Sequence, residues 1–486
     1  MCAFLWLILV RLWQGFKICC VNFFPRIYHS SDGTLIGQGK EFFMKNLIMT
    51  MFNLDEESIE SFTTLNIGND TTEIRIKLKP TDQYCEICGT KMIGNGTINK
   101  PVNHQFLTGR NIKLVYQARR YHCRNCGCSI VEKNPFAMKG FTTSILTMDN
   151  IMRDLRNPLL NYTTIAANHN SSVTMVENYL DSFVVLPKPT LPTNMGIDEI
   201  RSDMAKRRDA KYLGVIIDND TYDLVEILPS RNKIDLANFF SSYTKEEREK
   251  VQFITTDMWK PYKEVAQKYF KDVKVACDPF HVVKHLSDAF TKIRIRITNS
   301  LVYGSPSYYL LKHWHKLLES DKYDLDGEKK YNSVFKKNLN YGDIKNMLLS
   351  INDELKDAYY LKELYQQFNK EATYENAEDE LNRIISVFQS YDIKEYREFI
   401  STVIEWKKEI INSFIISPMT NNRLSNAKTE AMNNGIRKNI SCSNGLSNFN
   451  RFRKRMIYCF NDKAYYAISD NLASLTKKKG NNKNKK

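Results

Sequence analysis

Two Cys-x-x-Cys pairs, each followed by a glycine, are the strongest constraint on what this chain can fold into. They are Cys85–Cys88 and Cys123–Cys126, and 34 residues lie between them. Zn²⁺ prefers four thiolates in a tetrahedron, and two such turns supply them. The glycine after each pair permits the left-handed turn that directs backbone N–H groups at the sulfurs. The pattern predicts a Zn²⁺ site, with free thiols or a redox pair as the alternatives.

The sequence between the two pairs is typical of strands, as in IKLVYQARRYHC, and favours a zinc ribbon within residues 44–135. Four protein thiolates leave no open position for water, so we expect a structural metal. Basic side chains surround this site, among them Arg119 and Arg120. They either contact DNA phosphates or form an ordinary solvated face. His122 and Cys128 are adjacent spare ligands that we interpret as bystanders.

The net charge is the unusual feature of the composition. The 486 residues include 70 Lys and Arg against 55 Asp and Glu, a formal charge of +15. Such an excess favours a polyanionic partner, most often nucleic acid. The apolar fraction of 42% excludes wholesale disorder and a multi-span membrane protein. The 11 cysteines, most of them scattered, indicate a reducing compartment rather than a disulfide framework.

Breaks in the pattern divide the chain into seven segments. We predict a leader outside the functional chain (1–43), an N-terminal region with the zinc ribbon (44–135), a helix-turn-helix (141–186), the first part of an α/β core (193–300), an all-α insertion (301–416), a last core helix (417–460) and a basic disordered tail (461–486). The apolar run Ala3–Val10 is too short to span a bilayer. We therefore expect Met44 to be the functional start, with an interaction segment or an anchor as the alternative.

Residues 161–180 have the build of a helix-turn-helix. A short helix over Thr163–Asn168 is followed by a polar turn at His169–Ser171, and Ser172 is a suitable N-cap for a second helix. Apolar side chains recur at helical spacing in that second helix, at Val173, Val176 and Leu180. The pattern predicts a DNA-binding hairpin, and plain helical packing is the alternative.

Three acidic residues stand out by their context. Asp198 lies on a strand in MGIDE, Asp257 ends the strand VQFITTD, and Glu430 lies on a helix in NAKTEAMNN. Carboxylates at the ends of neighbouring strands and on a packing helix can converge on two Mg²⁺ ions about 3.5–4 Å apart. One ion then activates an attacking oxygen while the other stabilises a leaving oxygen. Each acid by itself would be an ordinary solvated residue.

The order of these motifs resembles that of the DDE transposases of bacterial insertion sequences, most closely the ISL3 family. The resemblance covers about residues 47–460 and rests on the ribbon, the helix-turn-helix and the stretches GIDE, TTDMW, DPFH and KTEAMNN. It implies a multidomain α+β chain with an RNase-H-like catalytic core that an all-α insertion interrupts. It also implies dependence on Mg²⁺ (or Mn²⁺) and the cutting and joining of DNA at terminal inverted repeats.

The resemblance also implies roles for individual residues. Asp198, Asp257 and Glu430 match the three metal-binding catalytic acids. Asp278 and His281 match an Asp-x-x-His signature on a later core strand, although His281 could equally be a satisfied core histidine. The helix that carries Glu430 is expected to contact DNA through a polar and basic face formed by Asn434, Arg437 and Lys438.

We therefore expect a transposase that binds double-stranded DNA at inverted repeats and target, self-associates in a synaptic complex and has no membrane partner. Its expected location is the bacterial cytoplasm, at the nucleoid. The alternatives are a non-catalytic regulator built from the ribbon and the helix-turn-helix, and an RNase-H-like nuclease that cuts without joining. The excess charge is expected to form a basic track to the acids, at Arg110–Arg124, Lys206–Arg208, Arg437–Arg455 and the tail.

Overall fold

The computed structural model describes residues 33–68, 70–107, 110–204, 211–443 and 448–468. The chain splits into two compact units, Met1–Met148 and Asp149–Lys486. Sixteen α-helices and 14 strands make up the described part, which is a mixed α/β protein. Most of the predicted leader and tail, and the basic residues Lys206–Arg208, lie outside the described residues. No described helix is both long and apolar enough to cross a membrane.

The first unit is built on a five-stranded sheet. Its elements are α1 (Gly33–Phe52), a 3₁₀ turn (Glu56–Ser58), β1 (Ile59–Ile67), β2 (Thr71–Leu78), β3 (Ile93–Leu107), β4 (Arg110–His122) and β5 (Ser129–Val131). The strand order is β1-β2-β4-β3, with β5 also on β4, and only β2 and β4 are parallel. The predicted strand-like spacer between the cysteine pairs is the long antiparallel pair β3–β4.

A helical hairpin opens the second unit. Helix α2 (Ile145–Leu155) is followed by α3 (Tyr162–Asn168) and α4 (Val173–Phe183). The Asn161 side chain accepts a hydrogen bond from the Thr164 N–H, and the Ser172 side chain accepts one from the Met175 N–H. Both helices therefore begin at a side-chain cap, as the sequence predicts for Ser172.

A second five-stranded sheet forms the centre of this unit. Its region comprises β6 (Val184–Val185), β7 (Asn194–Arg201), β8 (Tyr212–Asp218), β9 (Leu224–Leu228), α5 (Lys233–Ser241), α6 (Lys245–Arg248), β10 (Phe253–Thr256), α7 (Lys260–Tyr269) and β11 (Lys274–Cys277). The strand order is β11-β10-β7-β8-β9. Strands β7, β8 and β9 form an antiparallel meander, whereas β10 and β11 run parallel to β7. The carboxyl ends of β7, β10 and β11 therefore lie at one edge of the sheet.

A helical body follows the last strand of this sheet. It contains α8 (Pro279–Ser300), α9 (Pro306–His313), β12 (Lys330–Asn332), β13 (Lys337–Leu339), α10 (Tyr341–Leu349), α11 (Asp353–Glu371), α12 (Ala377–Tyr391), α13 (Tyr396–Glu405) and α14 (Lys407–Asn412). The segment predicted as an all-α insertion thus also includes a short hairpin, β12–β13. Its core shares buried side chains from α8 to α14, such as Phe290, Leu361 and Phe399. At its end the Asn412 amide donates to the Val275 carbonyl (2.8 Å), which returns the chain to β11.

The last two helices, α15 (Ala427–Cys442) and α16 (Phe449–Phe460), cover one face of the second sheet, and β14 (Tyr465–Tyr466) pairs with β6. Met432, Ile436 and Met456 from these helices join a core with Val215 and Ile217 of β8. Helices α5 and α7 cover the opposite face. The sheet is therefore enclosed on both sides, and its short apolar strands follow from that burial.

Helix α15 reaches the sheet because a glycine makes room for it. A Cβ atom at Gly196 of β7 would lie 2.8 Å from Thr429 Oγ1 and 2.9 Å from Ile217 Cγ1. The Thr429 side chain is fully buried at this contact. No side chain larger than hydrogen fits between β7 and α15 at this point without moving one of them.

We predict that Gly196→Ala destabilises the protein by about 1–3 kcal/mol, because the added methyl group overpacks the contact between β7 and α15. The midpoint of thermal unfolding, followed by circular dichroism, measures this effect. Gly94→Ala is the matched control, since a Cβ atom at this strand glycine meets nothing within 4 Å. Equal melting midpoints for the two variants would contradict the close approach.

Candidate active site

Three paired residues form a row across three neighbouring strands of the second sheet, and each of them is followed by an aspartate. Ile197 of β7 pairs with Thr256 of β10, which in turn pairs with Cys277 of β11. The next residue in each chain segment is Asp198, Asp257 and Asp278. The parallel register therefore brings two of the predicted catalytic acids, and the aspartate of the predicted Asp-x-x-His signature, to the same edge of the sheet.

Helix α15 is fixed over this edge by two asparagines. The Asn433 side chain donates to Asp198 Oδ2 (2.6 Å), and the Asn426 side chain donates to the Ile197 carbonyl (3.2 Å). The Asn426 backbone N–H also donates to Asp278 Oδ1 (3.3 Å). Glu430 lies in the first turn of α15, between these two anchors, and its side chain is exposed. Burial raises the pKa of Asp278, and the negative charge of Glu430 adds a smaller effect in the same direction.

Sequence reasoning missed Asn426 and Asn433. Both are buried, at 3% and 0% exposure, and both make the contacts that orient the acids. Helical spacing brings both Asn433 and Asn434 near Glu430, so the sequence does not distinguish them. The residue predicted from the sequence, Asn434, is exposed and accepts a hydrogen bond from Arg437 (2.9 Å).

Two of these carboxylates, Asp198 and Asp257, are largely buried, and their hydrogen bonds and charged neighbours do not fully replace the water they lose. Burial raises the pKa of Asp198 to about 6, and the charge of Glu199 acts in the same direction. Burial, followed by the charges of Glu199 and Asp198, raises the pKa of Asp257 to about 7. Asp257 Oδ1 is buried and has no hydrogen-bond partner. A buried carboxylate oxygen without a partner is costly unless a cation occupies the space beside it.

These acids offer hard oxygen ligands, which fit Mg²⁺ or Mn²⁺. Two such ions can share the carboxylates of one site, because each carboxylate has two oxygens.

A fourth carboxylate, Glu199, lies beside the three aspartates and has a positively charged partner of its own. It forms an ion pair with Arg231, and the Tyr262 hydroxyl donates to its Oε2 (3.2 Å). The Arg231 guanidinium lies between the rings of Tyr212 (4.4 Å) and Trp259 (4.5 Å). This arginine also lowers the pKa of Asp257, although burial outweighs it. Sequence reasoning did not single out any member of this network.

His281 lies beside Asp278, at the solvent-exposed end of the row of aspartates. Its Nε2 is 3.9 Å from Asp278 Oδ2. Burial raises the pKa of both Asp278 and Asp198, and the nearby His281 offsets part of that rise. The side chain is 36% exposed, so the interpretation as a satisfied core histidine does not describe its surroundings. The predicted DNA-contacting side chains Asn434, Arg437 and Lys438 are all exposed on α15, and their contact with DNA remains a prediction.

The arginines of the basic helix α16 were expected to form part of a DNA-binding track, but three of them have partners within the protein. Arg451 forms ion pairs with Glu177 (2.8 Å) and Asp181 (2.7 Å) of α4, and Arg453 forms an ion pair with Glu226 of β9. Arg455 is 1% exposed, and its guanidinium donates to backbone carbonyls, including that of Asn157 (3.2 Å). These charges therefore join α4 to the sheet. A run of arginines in a sequence does not reveal which of them have internal partners.

The first unit contains the predicted cysteine cluster. Cys85, Cys88, Cys123 and Cys126 place their sulfurs within 4.8 Å of one another. Gly89 and Gly127 have φ angles of 69° and 74°, the left-handed turns that the sequence predicts. The N–H groups of Cys88 and Ile87 lower the pKa of the Cys85 thiol. The eight cysteines in the described part of the chain form no disulfide, and four soft thiolates in this arrangement could hold Zn²⁺.

The two arginines predicted to contact DNA in this unit differ in their surroundings. Arg119 is 11% exposed and forms ion pairs with Glu60 and, at 3.8 Å, with Glu132. Arg120, the next residue on β4, is exposed. Because neighbouring residues of a strand point to opposite faces, only one of the pair can face a given partner. The exposed Arg120 is the better placed for a phosphate.

We predict that the metal-free protein loses stability as the pH rises from about 5 to 8. A carboxyl group whose pKa is higher in the folded than in the unfolded chain binds more protons when folded, so the free energy of unfolding falls through this range. For Asp257 the loss is on the order of 2–3 kcal/mol, since one pKa unit corresponds to about 1.4 kcal/mol. Asp257→Asn should remove this part of the dependence, as measured by thermal unfolding in a chelator.

Asp288→Asn is the control for this measurement. Asp288 lies on α8 and is exposed. This variant should keep the parent's pH dependence of stability. A parent protein whose melting midpoint rises or stays level from pH 5 to 8 would contradict the raised pKa values of the buried aspartates.

Comparison with known proteins agrees with this geometry. A family model described as a transposase, of the DDE ISL3 type, matches residues 195–456, more than half of the chain and every element that carries an acid of the site. The transposase for insertion sequence element IS1557 from two strains of Mycobacterium tuberculosis is 30% identical over 105 residues. That match covers 22% of this chain and 23% of the relative, so the chain spans about a quarter of the length of these curated proteins. The chain belongs to the ISL3 family of DDE transposases.

Proposed function

We propose that this transposase binds the terminal inverted repeats of an insertion sequence and cuts and joins DNA strands at the edge formed by β7, β10 and β11. The observation that carries the proposal is the cross-strand row of Asp198, Asp257 and Asp278 beneath Glu430. The strand order β11-β10-β7-β8-β9, with a three-stranded meander and two parallel strands, supports an RNase-H-like core. The helical body between β11 and α15 is then the insertion.

The proposed chemistry is phosphoryl transfer at two Mg²⁺ (or Mn²⁺) ions held by Asp198, Asp257 and Glu430. When bound, such ions activate the attacking oxygen and neutralise charge on the leaving oxygen. The remaining work of the chain is to position its groups and stabilise charge. Asn433 orients the Asp198 carboxylate, Asn426 orients Asp278, and the enclosed sheet limits water around Asp257.

The groups beside the acids have supporting roles in this proposal. The ion pair with Arg231 offsets part of the Glu199 charge, which otherwise adds to the repulsion among the acids. His281 lies at the exposed end of the row and can donate a hydrogen bond to a phosphate oxygen. On α15, Asn434, Arg437 and Lys438 would hold the DNA backbone beside the acids, because they are exposed on the helix that carries Glu430.

The DNA-binding role of the hairpin α3–α4 is also a proposal. Its second helix has exposed polar side chains at its N-terminal end, Ser172 and Thr174, where helices of this type contact base edges. Its acids Glu177 and Asp181 are paired with Arg451, so their charges do not face DNA unopposed. In the first unit we propose a structural Zn²⁺ on the four cysteines, with Arg120 as a phosphate contact.

A regulator without catalysis is the alternative class of function. A binding module gains nothing from buried aspartates with raised pKa values and an unpartnered carboxylate oxygen, because these features cost stability. A nuclease that cuts without joining would need the same acids. The presence or absence of a joined product therefore separates the nuclease from the transposase.

We predict that Asp198→Asn, Asp257→Asn and Glu430→Gln each lower DNA cleavage by roughly 100- to 1,000-fold, the order of magnitude for the loss of one charge-stabilising group. Each variant replaces one oxygen of a proposed metal-binding carboxylate with an amide nitrogen. The assay incubates purified protein and Mg²⁺ with a donor plasmid that carries the inverted repeats. It measures both nicked ends and strands joined to target DNA.

Asp288→Asn is the control variant, since it removes a carboxylate from α8 and leaves the row of aspartates intact. It should cleave and join like the parent. Cleavage by Asp257→Asn at the parent's rate, or DNA binding by the parent without any cleavage, would show that the catalytic assignment is wrong. Cleavage without a joined product would favour the nuclease.

We predict one Zn²⁺ per chain in the parent and a clear loss of Zn²⁺ in Cys123→Ser, because the cluster then lacks one of its four thiolates. Elemental analysis of the purified protein measures the metal content. Cys128→Ser is the matched control, as this neighbouring cysteine is not one of the four clustered ligands. Unchanged Zn²⁺ in Cys123→Ser would rule out the proposed metal site.

A further inference from the structure

One aromatic side chain at the active-site edge has no role in the chemistry proposed above. Phe280 is 54% exposed, although phenylalanine is usually buried. Phe42 and Phe43 on α1 are also exposed, but they lie in the first unit, away from the acids in sequence. Phe280 follows Asp278 by two residues, in the first turn of α8. The chain therefore presents an apolar ring to solvent at its most polar site.

The ring of Phe280 is joined to the acids through His281. The two rings are 5.5 Å apart between centroids and meet edge to face, with an interplanar angle of 85°. His281 in turn approaches Asp278, and its charge acts on Asp198. One face or edge of Phe280 is thus fixed against the histidine, and the rest of the ring remains open to a ligand at the acids.

The surroundings of Phe280 indicate what kind of ligand it would take. A partner protein would need a contiguous apolar patch. The nearby apolar side chain Val282 is buried, and the polar residues Asp278, His281 and Lys284 also lie close to the ring in sequence. Lys284 lies one turn further along α8 and is exposed, so a positive charge accompanies the ring on the same helix face. An aromatic ring beside a cation is the combination that binds single-stranded nucleic acid, by stacking and by charge.

We propose that Phe280, supported by His281, stacks on an unpaired nucleobase next to the phosphodiester held at the acids. This inference rests on the proposed function, since it concerns the same DNA. A phosphodiester that enters a recessed row of carboxylates brings its flanking nucleotides to the rim of that site. A base that leaves the duplex there finds a π-face in Phe280, which offsets part of the cost of unstacking.

Stacking on a base requires an aromatic side chain, whereas a general apolar contact requires only apolar surface. Tryptophan and tyrosine at position 280 keep a π-face, whereas leucine keeps apolar area without one. Phe280 is also well exposed, so its replacement should leave the fold intact. The series Phe280→Trp, Phe280→Leu and Phe280→Ala therefore separates stacking from both apolar burial and misfolding.

The experiment measures the affinity of the full chain, in a chelator, for two DNA duplexes that carry the inverted-repeat end. One duplex is fully paired, and the other has mismatched nucleotides at the cleavage position. The parent should bind the mismatched duplex about 5- to 100-fold more tightly, the range expected for stacking of one base. Phe280→Ala and Phe280→Leu should bring this ratio close to one, and Phe280→Trp should keep it.

A second readout locates the base itself. With 2-aminopurine at the mismatched position, the parent and Phe280→Trp should change the probe's fluorescence on binding, and Phe280→Ala should give a smaller change. A parent that binds and cleaves DNA, but whose affinity ratio is unaffected by Phe280→Ala, overturns the stacking proposal alone. A parent that binds neither duplex overturns the proposed function, and the stacking proposal with it.

Discussion

The packing of helix α15 against strand β7 is the constraint on which the candidate site depends. Glu430 is far from the other acids in sequence, and the helical body separates it from them along the chain. Gly196 lets the buried Thr429 approach the strand, and Asn426 and Asn433 then bind the Ile197 carbonyl and the Asp198 carboxylate. These contacts hold the helix at three consecutive turns. The position of Glu430 therefore follows from packing and hydrogen bonds within the chain.

The buried acids favour the binding of a cation, because a cation would stabilise their charged form. Burial disfavours the charged form of each of these carboxylates, and Arg231, which pairs with Glu199, offsets only part of this effect at Asp257. The protein therefore carries a local instability in the absence of metal. Stability given up at a functional site is a common feature of enzymes, and here the rigid sheet and its two helical layers supply the compensation.

Much of this arrangement could be predicted from the sequence, and the reasons for the rest are physical. The cysteine knuckles, the Ser172 cap and the acids on or directly after strands were predictable because each depends on a few neighbouring residues. The partners of Arg451, Arg453 and Arg119 were not predictable, because an ion pair depends on which elements meet in space. For the same reason Asn434 was chosen over Asn433, since helical spacing does not tell which of two adjacent amides faces a strand.

The ion pairs of α16 have a consequence for the distance between the DNA sequence that such a protein would recognise and the bond that it would cut. Arg451 binds α4, Arg453 binds β9, and the buried Arg455 holds the backbone that precedes α3, so hairpin and sheet belong to one compact unit. If α4 reads the inverted repeat, the number of base pairs between the sequence recognised and the bond cut is set by the length of this bridge. The cleavage position would then be a fixed offset, inherited from the protein's own dimensions rather than read from the bases at the cut.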